Sequence, residues 1–315
     1  MNTADTLLRR ALRYRWLVFW LLAMGYILVY FHRLCAAVVA VDMMQDLKTG
    51  GALLGLLGAA YFYPYALMQV PAGILSDSWG PRRTVTLFFL VACAGSLLLA
   101  LAPTAGWAIL GRTLVGTGVA MLFVPTLKIL SHWFDKKEFA TMTGLLVAMG
   151  GIGSLIATSP LAWLSNALGW RSSFLLISGF TLVVAGLLWT FVRDTPADRG
   201  FPPTVPEAHA DEPIPLKEGI RRVLADRGFW WLGVWFFCNC AIFFSYSGLW
   251  GGPYLMHVYR LDKGDAGSVL AMMALGMIAG SFLLGWLARN IFRGRKPLIL
   301  LCGAISLLIT AAFTL

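Results

Sequence analysis

Two arginines and a histidine lie inside long apolar stretches, and these residue types suggest chemistry. Arg33 lies deep in the first stretch, about 25 Å along a helix that rises 1.5 Å per residue, and His32 precedes it. Arg112 lies about 9 Å into the fourth stretch at the same rise. An arginine surrounded by apolar residues is costly unless it faces a cavity or a partner. Both guanidinium groups are therefore candidates for binding an anion.

The two arginines are expected at similar depth, because the first and fourth stretches would run antiparallel. A guanidinium can bind a carboxylate or a phosphate with two parallel hydrogen bonds. Tyr26, Tyr30 and Arg33 share one helix face, so Tyr30 joins the predicted substrate site. Alternatively, Arg33 pairs with Asp42 or with helix carbonyls, and Arg112 makes a structural bond to neighbouring helix ends.

His32 and Asp42 are the candidates for proton coupling. None of the 15 acidic residues lies in the middle of an apolar stretch. Histidine exchanges a proton near neutral pH, which favours His32 as the titrating group, with Asp42 second. The alternative for His32 is ordinary helix packing or an interfacial position.

Further polar side chains extend the predicted cavity wall. Tyr61, Tyr65 and Gln69 repeat every four residues in the second stretch, and Asn239 and Tyr246 share a face of the seventh. We expect Tyr65, Asn239 and Tyr246 to contact the substrate, although aromatic stripes also pack helices or anchor them at membrane interfaces.

Long apolar helices must position these side chains. The 315 residues are 59% hydrophobic and 13% charged, with a mean hydropathy of +0.75. A soluble domain carries about 25% charged residues, so the composition argues against a soluble enzyme and predicts an all-α integral membrane protein. Nine stretches of roughly 20 residues or more can each span a bilayer. They are 16–41, 52–75, 83–102, 106–130, 139–165, 171–192, 229–257, 266–288 and 297–315.

The basic residues are distributed unevenly between the two sides of this predicted bundle. Of the 25 Lys and Arg residues, eighteen fall on the side of the N-terminus and four on the other. The positive-inside rule then predicts a multi-pass protein of the inner (plasma) membrane with a cytoplasmic N-terminus. A further basic residue, Lys128, lies near the inner end of the fourth stretch. It is expected either to extend to the interface or to line the cavity.

The stretches fall into two groups separated by a polar segment. Residues 193–228 contain six prolines and many charges, which is typical of a linker, and end in a short amphipathic helix near 216–224. We therefore predict a six-helix N-terminal bundle over 1–192, a cytoplasmic linker over 193–228, and a partial three-helix C-terminal bundle over 229–315.

Net charge and cysteines indicate no further partner. The net charge of +10 is explained by basic loops, so no nucleic acid is expected. All five cysteines lie in apolar stretches without metal-ligand spacing, and we expect no disulfide, metal or cofactor. The sequence has no nucleotide-binding loop, so any energy-dependent step would draw on an ion or solute gradient.

A polar turn between the second and third stretches has an unusual composition. Gly73 and Gly80 permit close backbone approach and a tight turn, and Asp77 can pair with Arg83 or cap a helix. A simple basic loop that orients the protein would explain Arg82 and Arg83. It would not explain the glycines or the aspartate.

This turn carries a resemblance to a known family. Residues 73–83 match Gly-x-Leu-x-Asp-x-x-Gly-x-Arg-Arg, a signature of the major facilitator superfamily of secondary transporters. A second signature lies at 111–118, and the glycine cluster at 150–153 is also typical. Residues 30–33 together with Asp42 further resemble the anion/cation symporter and organophosphate antiporter branches.

The resemblance implies a major facilitator fold, in which two bundles rock about a site at the membrane midplane. It implies that Arg33 and Arg112 bind a small organic anion, with Arg112 alternatively serving proton coupling. The turn at 73–83 would act as a conformational latch between the halves. We expect a monomer in the bilayer that takes up its substrate together with protons.

Three features depart from the family pattern. The sequence shows nine stretches where the family generally has twelve, and Arg289 stands where the second copy of the signature carries Asp. The seventh stretch has no basic residue, which argues against organophosphate exchange. Two alternatives therefore stay open at this point: a non-transporting solute sensor of the same fold, and a fragment or inactive truncated form of a longer transporter.

Overall fold

The computed structural model describes residues 3–205, 216–292 and 295–314. Within these ranges the chain forms α-helices and no β-strand, which confirms the predicted all-α class. The helices are α1 (Thr3–Asp46), α2 (Gly51–Leu67), α3 (Gln69–Ser78), α4 (Pro81–Ala100), α5 (Ala105–Ala120), α6 (Phe123–Trp133), α7 (Lys136–Ile156), α8 (Ser159–Leu168), α9 (Trp170–Phe191), α10 (Leu216–Ala225), α11 (Arg227–Ser245), α12 (Gly251–Val258), α13 (Lys263–Asn290) and α14 (Arg295–Thr314).

Each predicted apolar stretch coincides with one helix or with two consecutive helices. Four stretches are broken: α2–α3, α5–α6, α7–α8 and α11–α12, the last through a π-helical turn at Tyr246–Trp250. A proline occupies the second or third position of each second segment, where its missing N–H removes a helical hydrogen bond. These prolines are Pro71, Pro125, Pro160 and Pro253.

The helices differ in how well they satisfy the requirements of a membrane span. Six segments of the described chain are long and apolar enough to cross a bilayer, and a seventh is added if α2 and α3, bent by 43°, count as one. The eighth and ninth predicted stretches lie in α13 and α14. There the described residues contribute only a shorter apolar helix, Pro297–Leu308.

The linker contains the amphipathic helix that the sequence predicts, as α10. Its prolines Pro206, Pro213 and Pro215 lie outside the described residues. The predicted boundaries of the bundles at residues 192 and 228, and the division into six and three helices, stay predictions.

The two buried clusters reveal how the first group of helices, α1–α9, meets the second group, α11–α14. We call the end of the bundle with the α3–α4 turn and residues 193–205 the linker end, and the opposite end the far end. One cluster runs to the linker end and consists only of residues between Val18 and Val192. The far-end cluster combines residues of α1, α5 and α9 with Leu255 of α12 and Ala266 of α13. Among the described side chains, the second group therefore packs on the first at the far end.

Gly252 lies at a close backbone contact between the two groups. A Cβ atom at this position would overlap the carbonyl of Ala37 on α1. Only glycine allows α12 to approach α1 this closely. By contrast, α11, which leads from the linker end toward this contact, has no buried residue. The groups are thus packed together at the far end, while the side chains of α11 are at most partly buried.

Gly80 shapes the turn between α3 and α4. Its φ of 90° lies in the region that favours glycine. An added Cβ would also stand 2.7 Å from Oδ2 of Asp194. We therefore predict that Gly80→Ala lowers the free energy of unfolding by about 1–3 kcal/mol, measured by denaturant unfolding in detergent. The matched control is Gly179→Ala on α9, where a Cβ meets no atom within 4 Å. A loss at Gly80 no larger than the control's would contradict this account of the turn.

Candidate substrate site and conformational elements

Arg33 lies in a cage of aromatic rings. Its side chain is buried, and its Cζ stands 4.7 Å from the ring centroid of Tyr30, 4.6 Å from that of Tyr65 and 4.8 Å from that of Phe244. Cation–π contacts of this kind attract the guanidinium without neutralising its charge. The Nε atom has no hydrogen-bond partner. The cage thus holds a positive charge whose Nε–H is available to donate a hydrogen bond.

Arg112 lies against the neighbouring ring of the same system. Its Cζ is 4.7 Å from the ring centroid of Tyr61, which stacks on Tyr65 with centroids 5.9 Å apart. One terminal nitrogen donates a hydrogen bond to the carbonyl of His32 at 2.7 Å, while Nε and the Tyr61 hydroxyl have no hydrogen-bond partner in the described part of the chain. A structural bond is therefore present at Arg112, but it is made to a carbonyl in the middle of α1 and not, as the alternative expected, to a helix end. The stacked tyrosines connect the surroundings of the two arginines.

Neither buried arginine has a carboxylate partner among the described residues. The ion pairs in that part of the chain are Arg15–Glu138, Lys128–Asp77, Arg171–Asp46, Arg222–Glu218 and Lys263–Asp42. The suggested pairing of Arg33 with Asp42 is wrong, because Asp42 is bound to Lys263 instead. An unpaired buried ion costs several kcal/mol, which a bound anion would offset.

Two predicted binding residues do not contact Arg33. Asn239 is exposed and its amide donates a hydrogen bond to the carbonyl of Trp235, one turn earlier in α11, at 3.0 Å. Tyr246 packs with the far-end cluster, its ring centroid 6.4 Å from that of Tyr254. Their contact with substrate stays a prediction. Of the predicted set, Tyr30 and Tyr65 do lie at the guanidinium of Arg33.

Phe244 is a site residue that the sequence analysis did not identify. Besides Arg33, its ring contacts Tyr30 and Phe62, with centroids 6.5 and 5.8 Å apart. It is the residue through which α11, in the second group of helices, reaches the arginine cage. The surrounding segment of α11 is rich in phenylalanine and tryptophan throughout, so no pattern separates Phe244 from its neighbours.

His32 is almost completely buried between helices. It is 1% exposed, and its Nε2 lies 3.3 Å from Oγ1 of Thr181 on α9. Its carbonyl is the acceptor for Arg112. These contacts are those of a packed helix residue, and its role in proton coupling stays a prediction.

Asp42 belongs to a polar network at the far end. Its carboxylate forms an ion pair with Lys263 of α13 and accepts a hydrogen bond from Ser165 of α8 at 3.2 Å. The Lys263 ammonium also donates to the Ser165 hydroxyl at 2.8 Å. The network links α1 and α8 of the first group to α13 of the second. It reinforces the far-end contact that Gly252 permits.

The predicted latch turn makes its contacts within the first group of helices. Asp77 pairs with Lys128 of α6 at 2.6 Å, not with Arg83 as the sequence suggested. Lys128 also donates to the carbonyl of Ser76 at 3.2 Å, so it neither extends freely to the interface nor lines a cavity. No atom lies within 4 Å of where a Cβ at Gly73 would stand, so the expected close approach there is absent in this conformation. The side chain of Asp77 is 76% exposed.

Arg82 ties the same turn to the end of α9. Its backbone N–H donates to Asp194 at 2.6 Å, and its guanidinium donates to the carbonyl of Trp189 and stacks on that ring at 4.4 Å. Burial raises the pKa of the Asp194 carboxyl, a rise that the hydrogen bond from Arg82 opposes. The turn is therefore held by contacts from both α6 and α9.

Removing the Asp77–Lys128 pair is expected to change stability little. Both partners are substantially exposed, and such pairs contribute about 0–1 kcal/mol. We predict that Asp77→Asn lowers the free energy of unfolding by less than about 1 kcal/mol. Denaturant unfolding in detergent at low and high salt measures this change in the free energy of unfolding. A salt-independent loss of several kcal/mol would show that the pair does more than this geometry implies.

Comparison with protein families agrees with this architecture. The family model of the Major Facilitator Superfamily matches residues 22–315. The chain belongs to the Major Facilitator Superfamily. It is thus a relative of transporters and not of enzymes, as the turn at 73–83 and the glycine signatures predicted.

Several curated relatives are named for anionic solutes. The chain is 22% identical to a probable hexose phosphate transport protein of Chlamydia trachomatis, over 90% of this chain and 66% of that protein. It is 25% identical to the hexuronate transporter of Escherichia coli K12, over 92% and 70%. It is 22% identical to a probable sulfoacetate transporter of Cupriavidus necator, over 95% and 70%. The chain thus spans about two thirds of the length of these relatives.

A solved structure shows the same fold. A bacterial homolog of the human lysosomal transporter Spinster, in an inward-facing and unoccupied conformation, aligns with a TM-score of 0.72 at 23% identity. The alignment covers 88% of this chain and 63% of that one. The major facilitator fold predicted from the signatures is confirmed.

Proposed function

We propose that this chain carries a small organic anion across the membrane by alternating access, with Arg33 and Arg112 at the centre of its binding site. The observation that carries this proposal is the pair of buried guanidinium groups without a carboxylate partner in the described structure. A substrate anion supplies the missing charge. Its hydrogen bonds would use the free Nε donors of the two arginines and the Tyr61 hydroxyl.

The proposed substrate is a carboxylate, of the sugar-acid class. Curated relatives are named for hexuronate, galacturonate and sulfoacetate, all of which are anionic. The relative named for hexose phosphate is similarly distant. However, α11 and α12 contain no Lys or Arg between Gly228 and Val258 that could add charge for a phosphate dianion. We therefore propose a carboxylate, which one guanidinium can bind with two parallel hydrogen bonds.

The proposed conformation is open toward the cytoplasm. The distribution of basic residues places the linker end inside. With the far end closed by Gly252 and the Asp42–Lys263 pair, the binding site would communicate with the linker end along α11. Release of these far-end contacts would open the other side. Such alternation between two packings is how transporters of this kind expose a fixed site to each face.

We further propose that uptake is coupled to protons, with Asp42 as the group that links protonation to far-end closure. A neutral Asp42 can no longer attract Lys263, so protonation would weaken the contact between the groups of helices. His32 is the less favoured candidate because its ring is enclosed between α1 and α9. The Asp42 side chain is therefore both a group that can bind a proton and a partner in the ion pair that closes the far end.

Asp42→Asn is expected to make uptake independent of the pH gradient. The amide cannot exchange a proton or form an ion pair, so acidification outside would no longer raise the initial rate. His32→Gln is expected to preserve the gradient dependence. Initial uptake rates in proteoliposomes, with and without an inward proton gradient, measure both. A pH dependence lost in His32→Gln but kept in Asp42→Asn would reverse the assignment.

Proteoliposome uptake also tests the proposed function itself. Purified protein would be reconstituted and offered radiolabelled galacturonate with an inward proton gradient. Uptake above that of empty liposomes, and competition by unlabelled glucuronate but not by neutral galactose, are expected. Uptake of galactose in preference to the sugar acids by folded protein would overturn the assignment of an anion.

A further inference from the structure

A groove on the outer surface of the bundle lies between α4 and α9, at the linker end. Its volume is about 660 Å³, and it is separate from the arginine cage. Its lining consists of Trp79, Arg83, Thr86, Leu87, Leu90, Leu182, Ala185, Gly186 and Trp189. With one exception, Arg83, the lining carries no charge.

The lining is ordered along the direction of the helices. Arg83, Leu87 and Leu90 are spaced by four and three residues, so they share one face of α4. Leu182, Gly186 and Trp189 repeat that spacing on α9, in the opposite chain direction. On both helices the polar or aromatic residue, Arg83 or Trp189, therefore lies at the linker end. The leucines lie further from that end along the groove. From Arg83 to Leu90 the groove descends about 10 Å at the helical rise.

The mouth of the groove combines the residues that membrane proteins place at the headgroup level. Trp79 and Trp189 are 52% and 49% exposed, as in the aromatic belts of membrane interfaces. Arg83 is exposed and forms neither a hydrogen bond nor an ion pair within the described part of the chain. Its neighbour Arg82 binds Trp189 and Asp194, so among the described residues of this mouth Arg83 is the cation without a bonded partner.

We propose that this groove binds one anionic phospholipid, with the phosphate at Arg83 between the two tryptophans and an acyl chain along the leucines. An apolar slot open to the bilayer favours an acyl chain because it buries apolar area against apolar side chains. The basic mouth favours an anionic headgroup through charge complementarity. Because the same turn carries Asp77 and Gly80, the lipid would contact the turn that the family resemblance assigns to a conformational latch.

Native mass spectrometry of the purified chain tests this site with phosphatidylglycerol and phosphatidylcholine as competing probes. We expect one phosphatidylglycerol to be retained in preference to phosphatidylcholine. Arg83→Gln is expected to reduce that preference about fivefold, the effect of one basic residue at a membrane surface. Arg83→Lys is expected to keep it. Lys136→Gln, which removes an exposed charge at the same end but outside the groove, is the matched control.

A second variant tests the groove independently of charge. No atom lies within 4 Å of a Cβ placed at Gly186, so Gly186→Phe fills the slot without meeting a neighbour at the Cβ. It is expected to release the lipid whatever its headgroup, while Gly144→Phe, at an equally open glycine on α7, retains it. Three outcomes would overturn the proposal. The first is equal retention of both lipids, and the second is an equal loss of preference in Arg83→Gln and Lys136→Gln. The third is a dimer that occupies the groove in place of lipid. Monodisperse elution of each variant shows that it has folded.

Discussion

Replacing Arg33 with glutamine is expected to abolish substrate uptake. The substitution removes the charge from the cage of Tyr30, Tyr65 and Phe244 while keeping a polar side chain of similar length. Losing one partner of a buried charge pair costs about 3–5 kcal/mol, or roughly 150- to 5,000-fold in affinity. Initial rates of galacturonate uptake in proteoliposomes at concentrations below saturation measure the loss.

Two further variants separate charge from geometry at this site. Arg33→Lys keeps the charge but cannot make two parallel bonds to a carboxylate, so we expect an intermediate loss of about tenfold. Lys48→Gln, an exposed cation beyond the end of α1, is the control for removal of charge and should change uptake little. Full uptake by Arg33→Gln would show that Arg33 does not belong to the substrate site. If Lys48→Gln lost as much uptake as Arg33→Gln, the loss would be explained by general attraction of the anion to basic surface residues.

Replacing Gly252 with valine is expected to shift the protein away from the far-end-closed conformation. The added side chain would overlap the carbonyl of Ala37, and overpacking of this kind costs about 1–3 kcal/mol. Because the cost falls on one conformation only, it changes the ratio of closed to open molecules by about 5- to 150-fold. Uptake should fall, since the cycle must pass through the closed state.

Spin labels at the far end report this shift directly. Gln45→Cys on α1 and His257→Cys on α12 are both exposed and lie on either side of the contact. In a background without the native cysteines, the distance distribution between labels at these positions should lengthen in Gly252→Val. Gly276→Val on α13, where a Cβ has no neighbour within 4 Å, is the control and should leave the distribution unchanged. An unchanged distribution in Gly252→Val would contradict the proposed role of the far-end contact.

Local features of the sequence were sufficient to predict the helices and the family. Apolar length and loop charge located the stretches that the structure shows as helical. Prolines such as Pro125 and Pro253 account for where those helices break, because the missing N–H acts within one turn. The glycine at position 80 and the arginines that follow it identified the turn, because an ordinary short loop between two helices does not require these residue types at this spacing.

Contacts between helices far apart in the sequence could not be predicted in the same way. Asp42 was singled out for its titration, but its partner Lys263 lies 221 residues away and only the packing of α1 against α13 brings them together. Phe244 is one of many aromatic residues in α11, and Lys128 reaches Asp77 only because α3 and α6 are neighbours. Each of these depends on the relative placement of helices, which hydrophobic spacing does not encode.

Equilibrium binding of a sugar acid to the purified chain tests the central claim, that two unneutralised arginines form an anion site. Isothermal titration of galacturonate, with neutral galactose as its matched ligand, would be performed on the unmodified protein and on Arg33→Gln. The account predicts saturable binding of galacturonate at a single site, weakened at least about 100-fold in Arg33→Gln, and no comparable binding of galactose. Galacturonate binding of equal affinity in both proteins, or tighter binding of galactose, would contradict it.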